Sequence, residues 1–292
     1  MPEWSPEHVV DEDLARRLIA DQCFEPESLR LVGEGWDNTV WLADERWAFR
    51  FPRREIGVPG LRRELAVLGQ LAPQLPLRVP EPVYVGEPAN GYPWPFFGAE
   101  FIRGRAVADA ELSDGARAAL GRPLGRFLRA LHDAEVQAQL PADPMGRSNM
   151  VERAPRAGVA LMEIAPLWTT PRWVFDELDA AERIVTPPAT SVAHGDLHLL
   201  HILVLGEVPC GVIDWGDVCR GDPCMDLALY WYLLEGAGRG EFRAAYGDIS
   251  PDQLLSARVL AWFMCARLAV WAHNEGRDRL LEAALDGLRR AT

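Results

Sequence analysis

The feature that most restricts the fold of this chain is a pair of short apolar runs flanked by histidine and aspartate. The runs are 202–205 and 210–213, joined by a four-residue link that contains Gly and Pro. Apolar runs of this length around a short turn-forming link are typical of a β-hairpin. Pairing the two residues that border the link predicts that His201 and Asp214 lie side by side at the open end of the hairpin.

A second acidic residue, Asp196, lies one short loop before this hairpin, in the motif HGDLHLLH that begins at His194. Its carboxylate is therefore predicted to lie close to that of Asp214. Like charges repel unless a cation or a proton separates them. Phosphoryl transfer requires such a group: Mg²⁺ with nucleotide phosphates, next to a carboxylate that accepts a hydroxyl proton. The ordered set favours this chemistry over a polar loop of capping residues.

Before residue 100 the sequence predicts strands and one helix. The segment 61–71 has leucines at helical spacing. Glu64 lies on the same apolar face, where a carboxylate is costly unless it meets a cation. Short β-rich runs between Gly, Asp and Asn turns predict strands at 29–32, 39–43, 47–51 and 83–85.

After Gly104 the pattern becomes mainly helical. Helices are predicted at 116–132 and 251–273, and a helical excursion wrapped in loops is predicted between 140 and 188. The change in composition places a boundary near residues 98 to 105. The longest apolar stretch, 259–266, lies between two arginines and is too short to span a bilayer, so we expect no membrane insertion.

The charge, the cysteine content and the first residues disfavour several functions and locations. The 30 basic residues are all Arg and face 43 acidic residues, a formal charge of −13 that disfavours nucleic acid. The five cysteines are odd in number and form no CxxC pair, so neither a disulfide framework nor a thiolate zinc site is indicated. The first residues are acidic and interrupted by proline, unlike a signal peptide. We expect free thiols and a cytoplasmic location.

On its motifs the chain resembles the aminoglycoside phosphotransferase family, a kinase-like group that includes macrolide phosphotransferases. The resemblance rests on HGDLHLLHILV and VIDWGDVCRGDPCMDLA, with weaker matches in GEGWDNTVW and WAFRFPRR. It implies a two-lobed, protein-kinase-like α+β fold with a small antiparallel-sheet N-terminal lobe (1–98), a hinge (99–104) and a larger, mainly helical C-terminal lobe (105–292). It also implies Mg²⁺-dependent transfer of the γ-phosphoryl group of ATP or GTP to a small-molecule hydroxyl, such as that of an aminoglycoside, macrolide or nucleoside antibiotic.

The resemblance assigns roles to residues in the motifs HGDLHLLHILV and VIDWGDVCRGDPCMDLA. Asp196 corresponds to the catalytic aspartate, and Asp214 to the metal-binding aspartate of the kinase DFG position. His201 stands where a metal-binding Asn is usual, and imidazole is a softer ligand than Mg²⁺ prefers. Four further residues are expected to support this site without binding substrate, namely His194, His198, Asp222 and Asp226.

On the nucleotide side, the turn that contains Gly33, Gly35 and Asn38 would let backbone amides approach phosphates, although a plain hairpin turn has the same pattern. Arg50 stands where a kinase has its phosphate-binding lysine and is expected to pair with Glu64. A structural salt bridge without nucleotide contact is the alternative. By resemblance, the backbone of the hinge would contact the nucleobase through Glu100, Phe101 and Ile102.

The acceptor side is represented by four candidates on one predicted helix. Asp176 and Asp179 fall on one face because residues three apart are neighbours on a helix. Trp173 and Glu177 would add an aromatic and an acidic side chain to the acceptor site. The alternative is a solvated acidic face backed by core tryptophans.

Three other functions remain compatible with the sequence. His194, His198 and His201 form an H-x₃-H-x₂-H cluster that a zinc hydrolase could use. The departures at Arg50 and His201 allow a catalytically inactive, kinase-like binding module. A metabolic sugar, choline or homoserine kinase would share the same motifs, because the fold does not determine the acceptor. We expect a monomer or a weak dimer.

Overall fold

A computed structural model describes residues 5–35, 37–186 and 188–292. The chain divides into two compact units. The first contains the residues up to Pro73, Arg78–Arg103 and Trp215–Asp217, and the second contains Gln74–Leu77, Gly104–Asp214 and Val218–Thr292.

The first unit is built on a five-stranded antiparallel sheet with the strand order β1-β2-β3-β5-β4. The strands are β1 Leu29–Glu34, β2 Asn38–Ala43, β3 Trp47–Pro52, β4 Pro82–Gly86 and β5 Phe96–Glu100. The four strands predicted from the sequence are confirmed, and the fifth occupies part of the segment compared with a kinase hinge. Aromatic side chains fill the core of this unit, where the rings of Phe51 and Phe96 stack with centroids 4.7 Å apart.

Two helices accompany this sheet, α1 Glu12–Gln22 and α2 Val58–Leu71, so the prediction of a single helix before residue 100 is wrong. The predicted helix is confirmed and begins three residues earlier, because Pro59 lies in the first turn, where its missing N–H has no intrahelical partner to lose. Helix α2 buries an apolar face that includes Val67 and Leu68. Glu64 is buried on that face as well, as predicted.

The second unit is mainly helical. Its helices are α3 Asp114–Ala119, α4 Gly121–His132, α5 Met150–Glu163, α6 Arg172–Ala181, α7 Cys224–Tyr232, α8 Gly236–Tyr246, α9 Pro251–Asn274 and α10 Asp278–Ala291. Its short strands are β6 Arg105–Ala106, β7 Ser191–Ala193, β8 Ile202–Leu205, β9 Val208–Val212 and β10 Cys219–Gly221. The α+β fold class is therefore confirmed. The single helix predicted at 116–132 is divided at Leu120, whose N–H bonds three residues back to Arg117 in a tighter turn.

Helix α9 is the one described helix whose length and composition would allow it to cross a membrane, with half of the apolar window buried inside the structure. It packs against α5, α7 and α10. Core helices of globular proteins have the same composition. Helix α9 begins with a capping box, in which Ser250 and Gln253 exchange side-chain and backbone hydrogen bonds.

The hairpin of β8 and β9 is present, but its predicted register is wrong. Leu205 pairs with Val208 instead of Cys210, across a two-residue turn in which Gly206 adopts a φ of 63°. Cys210 is an extra residue in a β-bulge, which shifts the pairing by one position. The carbonyl of His201 consequently accepts a hydrogen bond from the N–H of Ile213 at 3.0 Å, and Asp214 follows directly.

A second antiparallel pair supports the loop before this hairpin. Strand β7 pairs with β10, with Ala193 opposite Cys219. The HGD motif begins at the residue after β7, so the ladder fixes where the loop leaves the sheet. All five cysteines are free thiols, as predicted.

Candidate active site

The loop that carries Asp196 is held by a buried carboxylate on α7. Asp226 accepts hydrogen bonds from the backbone N–H groups of His194 at 2.8 Å and Gly195 at 3.0 Å. Gly195 has a φ of 84°, a conformation that favours glycine. The chain therefore turns sharply at this point and leaves the Asp196 side chain partly exposed, at 37 %.

A buried polar relay extends from this carboxylate. Nε2 of His132 lies 3.2 Å from Asp226 Oδ2, and Nδ1 of His132 lies 2.8 Å from the hydroxyl of Tyr246. Burial raises the pKa of Asp226, but the hydrogen bonds and charges of His132 and His194 outweigh it, so the net pKa is lowered. The ionised carboxylate only accepts hydrogen bonds, so His132 donates from Nε2, and its Nδ1 accepts a hydrogen bond from the Tyr246 hydroxyl. Asp226 thus supports the loop, whereas His132 and Tyr246 were missed in the sequence.

Asp222 supports the start of the same helix. It accepts a hydrogen bond from the N–H of Cys224 at 2.7 Å and one from the Gln253 side chain at 3.3 Å. Asp222 therefore stabilises the first turn of the helix that presents Asp226.

Backbone contacts determine the tautomers of two histidines in the loop. Nδ1 of His194 accepts from the N–H of Asp196 at 3.3 Å, which leaves Nε2–H to donate to the Ile213 carbonyl at 3.0 Å. Nδ1 of His198 accepts from the N–H of Leu200 at 3.2 Å, so its Nε2 also carries the proton. Burial lowers the pKa of both imidazoles, and it lowers that of His198 strongly.

His201 has the opposite arrangement. Its Nδ1 donates to the backbone carbonyl of Asp196 at 2.8 Å, and its Nε2 lies 3.3 Å from Oδ2 of Asp214. Burial lowers the pKa of His201, but the hydrogen bond and charge of Asp214 raise it by more, and the net pKa is raised. The predicted neighbourhood of His201 and Asp214 is therefore present.

These contacts distinguish between two possible metal sites, a three-histidine zinc site and a site formed by His201 and Asp214. Ligand atoms of Asp196, His198 and His201 lie within 4.8 Å of one another. His194 is not part of this group, because both of its ring nitrogens have backbone partners, so the three-histidine zinc arrangement is not assembled. His201 Nε2 and the half-exposed Asp214 carboxylate offer one nitrogen and one oxygen ligand side by side, which fits a divalent cation.

Sequence reasoning also missed Arg147, which lies in the loop before α5. Its Nη2 is 3.2 Å from Oδ1 of Asp196. Oδ2 of the same carboxylate faces Nε2 of His198 at 3.6 Å, which is too long for a hydrogen bond. The two oxygens of Asp196 therefore have different surroundings.

In the first unit the predicted ion pair between Arg50 and Glu64 is present. Oε1 of the fully buried Glu64 lies 3.2 Å from Arg50 Nη1 and accepts the N–H of Trp215 at 3.0 Å. Arg63 donates to the carbonyl of Gly216 from Nε at 2.9 Å. Helix α2 therefore holds Trp215 and Gly216, the residues that follow Asp214 in the chain.

The glycine turn between β1 and β2 is closed by its own backbone. The N–H of Gly35 donates to the Asn38 carbonyl at 2.9 Å, and Arg53 binds the Gly35 carbonyl at 3.0 Å. Gly33 lies opposite Val40 in the sheet. The role of this turn as a phosphate-binding loop stays a prediction.

In the segment compared with a kinase hinge, one backbone N–H is already hydrogen-bonded within the protein. The N–H of Phe101 donates to the Arg46 carbonyl at 2.7 Å, so in this conformation Phe101 could offer only its carbonyl to a nucleobase. The side chain of Glu100 pairs with Arg78 at 2.8 Å, and Ile102 is buried.

The structure divides the four acceptor candidates on α6 into two pairs. Both carboxylate oxygens of Glu177 lie 3.1 Å from Nη1 of Arg258, and the same guanidinium lies over the ring of Trp173 at 4.7 Å. Asp176 and Asp179 are exposed. Glu177 and the partly exposed Trp173 therefore both contact Arg258, and the two aspartates form the open acidic face.

A fold of this kind, with a carboxylate loop placed before a hairpin that carries a paired His and Asp, has the features of a kinase-like phosphotransferase. The model of the phosphotransferase enzyme family APH matches residues 28–254, and the chain belongs to that family.

Two curated relatives cover most of the chain. The chain is 29 % identical to the uncharacterized protein YcbJ of Bacillus subtilis, over 88 % of this chain and 82 % of YcbJ. It is 28 % identical to viomycin phosphotransferase of Streptomyces vinaceus, over 88 % of this chain and 92 % of that protein.

Two solved structures of similar fold are antibiotic phosphotransferases. One is an APH(2″) enzyme in complex with GDP and kanamycin, with a TM-score of 0.66, 21 % identity and coverage of 94 % of this chain and 97 % of that one. Another is the macrolide 2′-phosphotransferase of Brachybacterium faecium, with a TM-score of 0.64, 22 % identity and coverage of 94 % and 98 %. These likenesses confirm the predicted kinase-like fold.

Proposed function

We propose that this protein transfers the γ-phosphoryl group of ATP or GTP to a hydroxyl group of a small-molecule antibiotic and thereby gives resistance. The observation that carries the proposal is the second unit's site, where the partly exposed carboxylate of Asp196 lies next to the paired His201 and Asp214. Membership of the phosphotransferase family supports it. We further propose a cytoplasmic protein that acts as a monomer or weak dimer.

Asp196 is the proposed general base. It would bind the acceptor hydroxyl and take its proton as the hydroxyl oxygen forms a bond to the γ-phosphorus. The bond from that phosphorus to the β–γ bridging oxygen breaks, and its electrons leave with the nucleoside diphosphate. The proton on Asp196 then passes to solvent. Asp226 contributes by keeping the loop backbone at a fixed position.

Asp214 and His201 are the proposed ligands of Mg²⁺. When bound, Mg²⁺ would neutralise negative charge on the nucleotide phosphates. The Nδ1–H of His201 donates to the backbone of Asp196 and thereby directs Nε2 toward Asp214. This hydrogen bond fixes the imidazole orientation without any contribution from the cation.

In the first unit, Arg50 is proposed to neutralise nucleotide phosphates while Glu64 holds its guanidinium. The glycine turn at Gly33 and Gly35 is proposed to border the phosphates, and the backbone from Glu100 to Ile102 to contact the nucleobase.

The role of Arg50 can be tested by removing its charge. We expect Arg50→Met to raise the Kd for Mg²⁺ and nucleotide by about 10-fold or more, because a charged hydrogen bond contributes roughly 1.5–3 kcal/mol. Calorimetric titration with ATP and with GTP would measure it, with Arg50→Lys as the conservative variant. Unchanged affinity in Arg50→Met would show that the ion pair is structural. A melting temperature for each variant separates weaker binding from unfolding.

For the acceptor we propose a cationic antibiotic, because the exposed Asp176 and Asp179 form an acidic face on α6 and the chain is strongly acidic. Kanamycin and viomycin, which appear in the names of similar proteins, belong in the panel of compounds to be tested, together with macrolides and nucleoside antibiotics.

The test of the proposed function is a coupled assay for nucleoside diphosphate release with Mg²⁺, run with ATP and with GTP across that panel. We expect one class of compound to stimulate release well above background and to gain one phosphate by mass spectrometry. Nucleotide binding without stimulation by any antibiotic would direct the search to sugars, choline or homoserine. No nucleotide binding at millimolar concentration would favour a binding module and refute the proposal.

A further inference from the structure

The loop that precedes α5 brings an arginine to the proposed catalytic base. Arg147 Nη2 lies 3.2 Å from Oδ1 of Asp196, and the Arg147 side chain is 19 % exposed. An ordinary surface ion pair contributes little to stability or geometry, since two flexible side chains must be ordered. The surroundings of Arg147 show that this pair differs from such a contact.

The backbone at Arg147 is fixed by a local carboxylate. Asp143 accepts hydrogen bonds at 2.8 Å from the N–H groups of both Arg147 and Ser148, and one at 2.6 Å from the Ser148 hydroxyl. Gly146 adopts a φ of 58°, and its N–H bonds back to the Asp143 carbonyl at 3.0 Å. The position of the Arg147 backbone is therefore determined before any ligand binds.

This loop and the Asp196 loop are attached to the same strands. Both the N–H and the carbonyl of Arg220, in β10, bond to the Arg147 loop at 2.8 Å, through Pro141 and Asp143. Strand β10 pairs with β7, which ends just before the HGD motif. The two loops thus share one backbone framework, which limits how far the guanidinium of Arg147 and the carboxylate of Asp196 can separate.

We propose that Arg147 is a positioning residue for phosphoryl transfer, in which its guanidinium holds Oδ1 of Asp196 and directs Oδ2 toward the acceptor hydroxyl. This role rests on the proposed function. Oδ2 is the suitable proton acceptor because its neighbour, Nε2 of His198, lies beyond hydrogen-bond distance at 3.6 Å. Arg147 acts through Asp196 and takes no proton itself.

The expected effect is a loss of turnover without a loss of nucleotide binding. We expect Arg147→Ala to lower kcat by about 10²-fold, the size of effect that a small misplacement of a reacting group produces. The KM for nucleotide should stay within about 2-fold of the wild-type value. Arg147→Lys keeps the charge but offers no fork of donors, so its kcat should lie between the two.

Chemical rescue distinguishes positioning from a general loss of structure. Guanidinium chloride at non-denaturing concentration should restore part of the kcat of Arg147→Ala, whereas sodium chloride at equal ionic strength should not. Arg156→Ala is the matched control, since Arg156 is exposed and, within the described part of the chain, pairs with the neighbouring Glu152 alone. It should keep wild-type kcat and show no rescue. Melting temperatures of all variants complete the set.

The outcomes separate the two proposals. An active wild type with unchanged kcat in Arg147→Ala overturns the role of Arg147 and leaves the proposed function intact. A fall in kcat with no rescue, accompanied by a large fall in melting temperature, also overturns it in favour of a structural role. A wild type without any turnover, including slow hydrolysis of the nucleotide by water, overturns the proposed function and this role with it.

Discussion

Replacement of Asp196 by Asn is expected to lower kcat by roughly 10³-fold while the affinity for nucleotide changes little. The amide cannot take the proton of the acceptor hydroxyl, and general base catalysis contributes about 10²–10⁴-fold. The hydrogen bonds that hold the loop, from the His194 and Gly195 amides to Asp226, do not involve the Asp196 side chain. Loop geometry should therefore survive the substitution.

Steady-state kinetics with the best acceptor and calorimetric titration of nucleotide would measure both quantities. Asp252→Asn is a matched control, because Asp252 is an exposed aspartate in the first turn of α9. An equal loss of turnover and nucleotide affinity in Asp196→Asn would contradict the role of general base. It would instead place Asp196 in nucleotide binding.

The second large effect is expected at Asp226, where substitution should destabilise the second unit. Asp226→Ala leaves two buried N–H groups and His132 without their acceptor, and breaking such a buried pair costs about 3–5 kcal/mol. For a unit of this size that corresponds to a fall in melting temperature of roughly 10 °C. Tyr246→Phe removes only the last hydrogen bond of the relay and should cost about 1 kcal/mol. Calorimetric melting curves would measure both.

The contribution of Asp226 to the stability of the fold should decrease in strong acid. Its pKa in the folded protein is lowered below the ordinary value of 3.8, so its contribution to stability is complete above that value. The contribution is lost as the pH falls through the lowered pKa. The difference in unfolding free energy between wild type and Asp226→Asn should therefore be constant near neutral pH and shrink in strong acid. A difference that grows on acidification would contradict the assigned ionised state.

The sequence was most informative where periodicity and charge gave the same answer. Glu64 on an apolar helix face required a cation, and Arg50 provides it. The HGD motif and the apolar runs predicted a loop and a hairpin, and His201 does lie beside Asp214. The two residues are neighbours although the predicted register is wrong, because the bulge at Cys210 offsets one of the two residues by which the turn is shorter.

Contacts between residues distant in sequence and without a motif were not predictable. Arg147 lies 49 residues before Asp196 in a loop with weak periodicity, and it was one of 30 arginines without a distinguishing pattern. Tyr246 and His132 are 114 residues apart. The pairing of Glu177 with Arg258 likewise depends on how α6 packs against α9, which helical periodicity does not specify.

The backbone at Asp214 imposes a compromise between folding and activity. Asp214 has a φ of 64°, a left-handed conformation that costs an ordinary residue about 1–2 kcal/mol and costs glycine almost nothing. Glycine here would relieve the backbone but remove the proposed metal ligand. Selection for stability alone would thus favour glycine at position 214, and a variant selected in that way would gain stability and lose the proposed metal ligand.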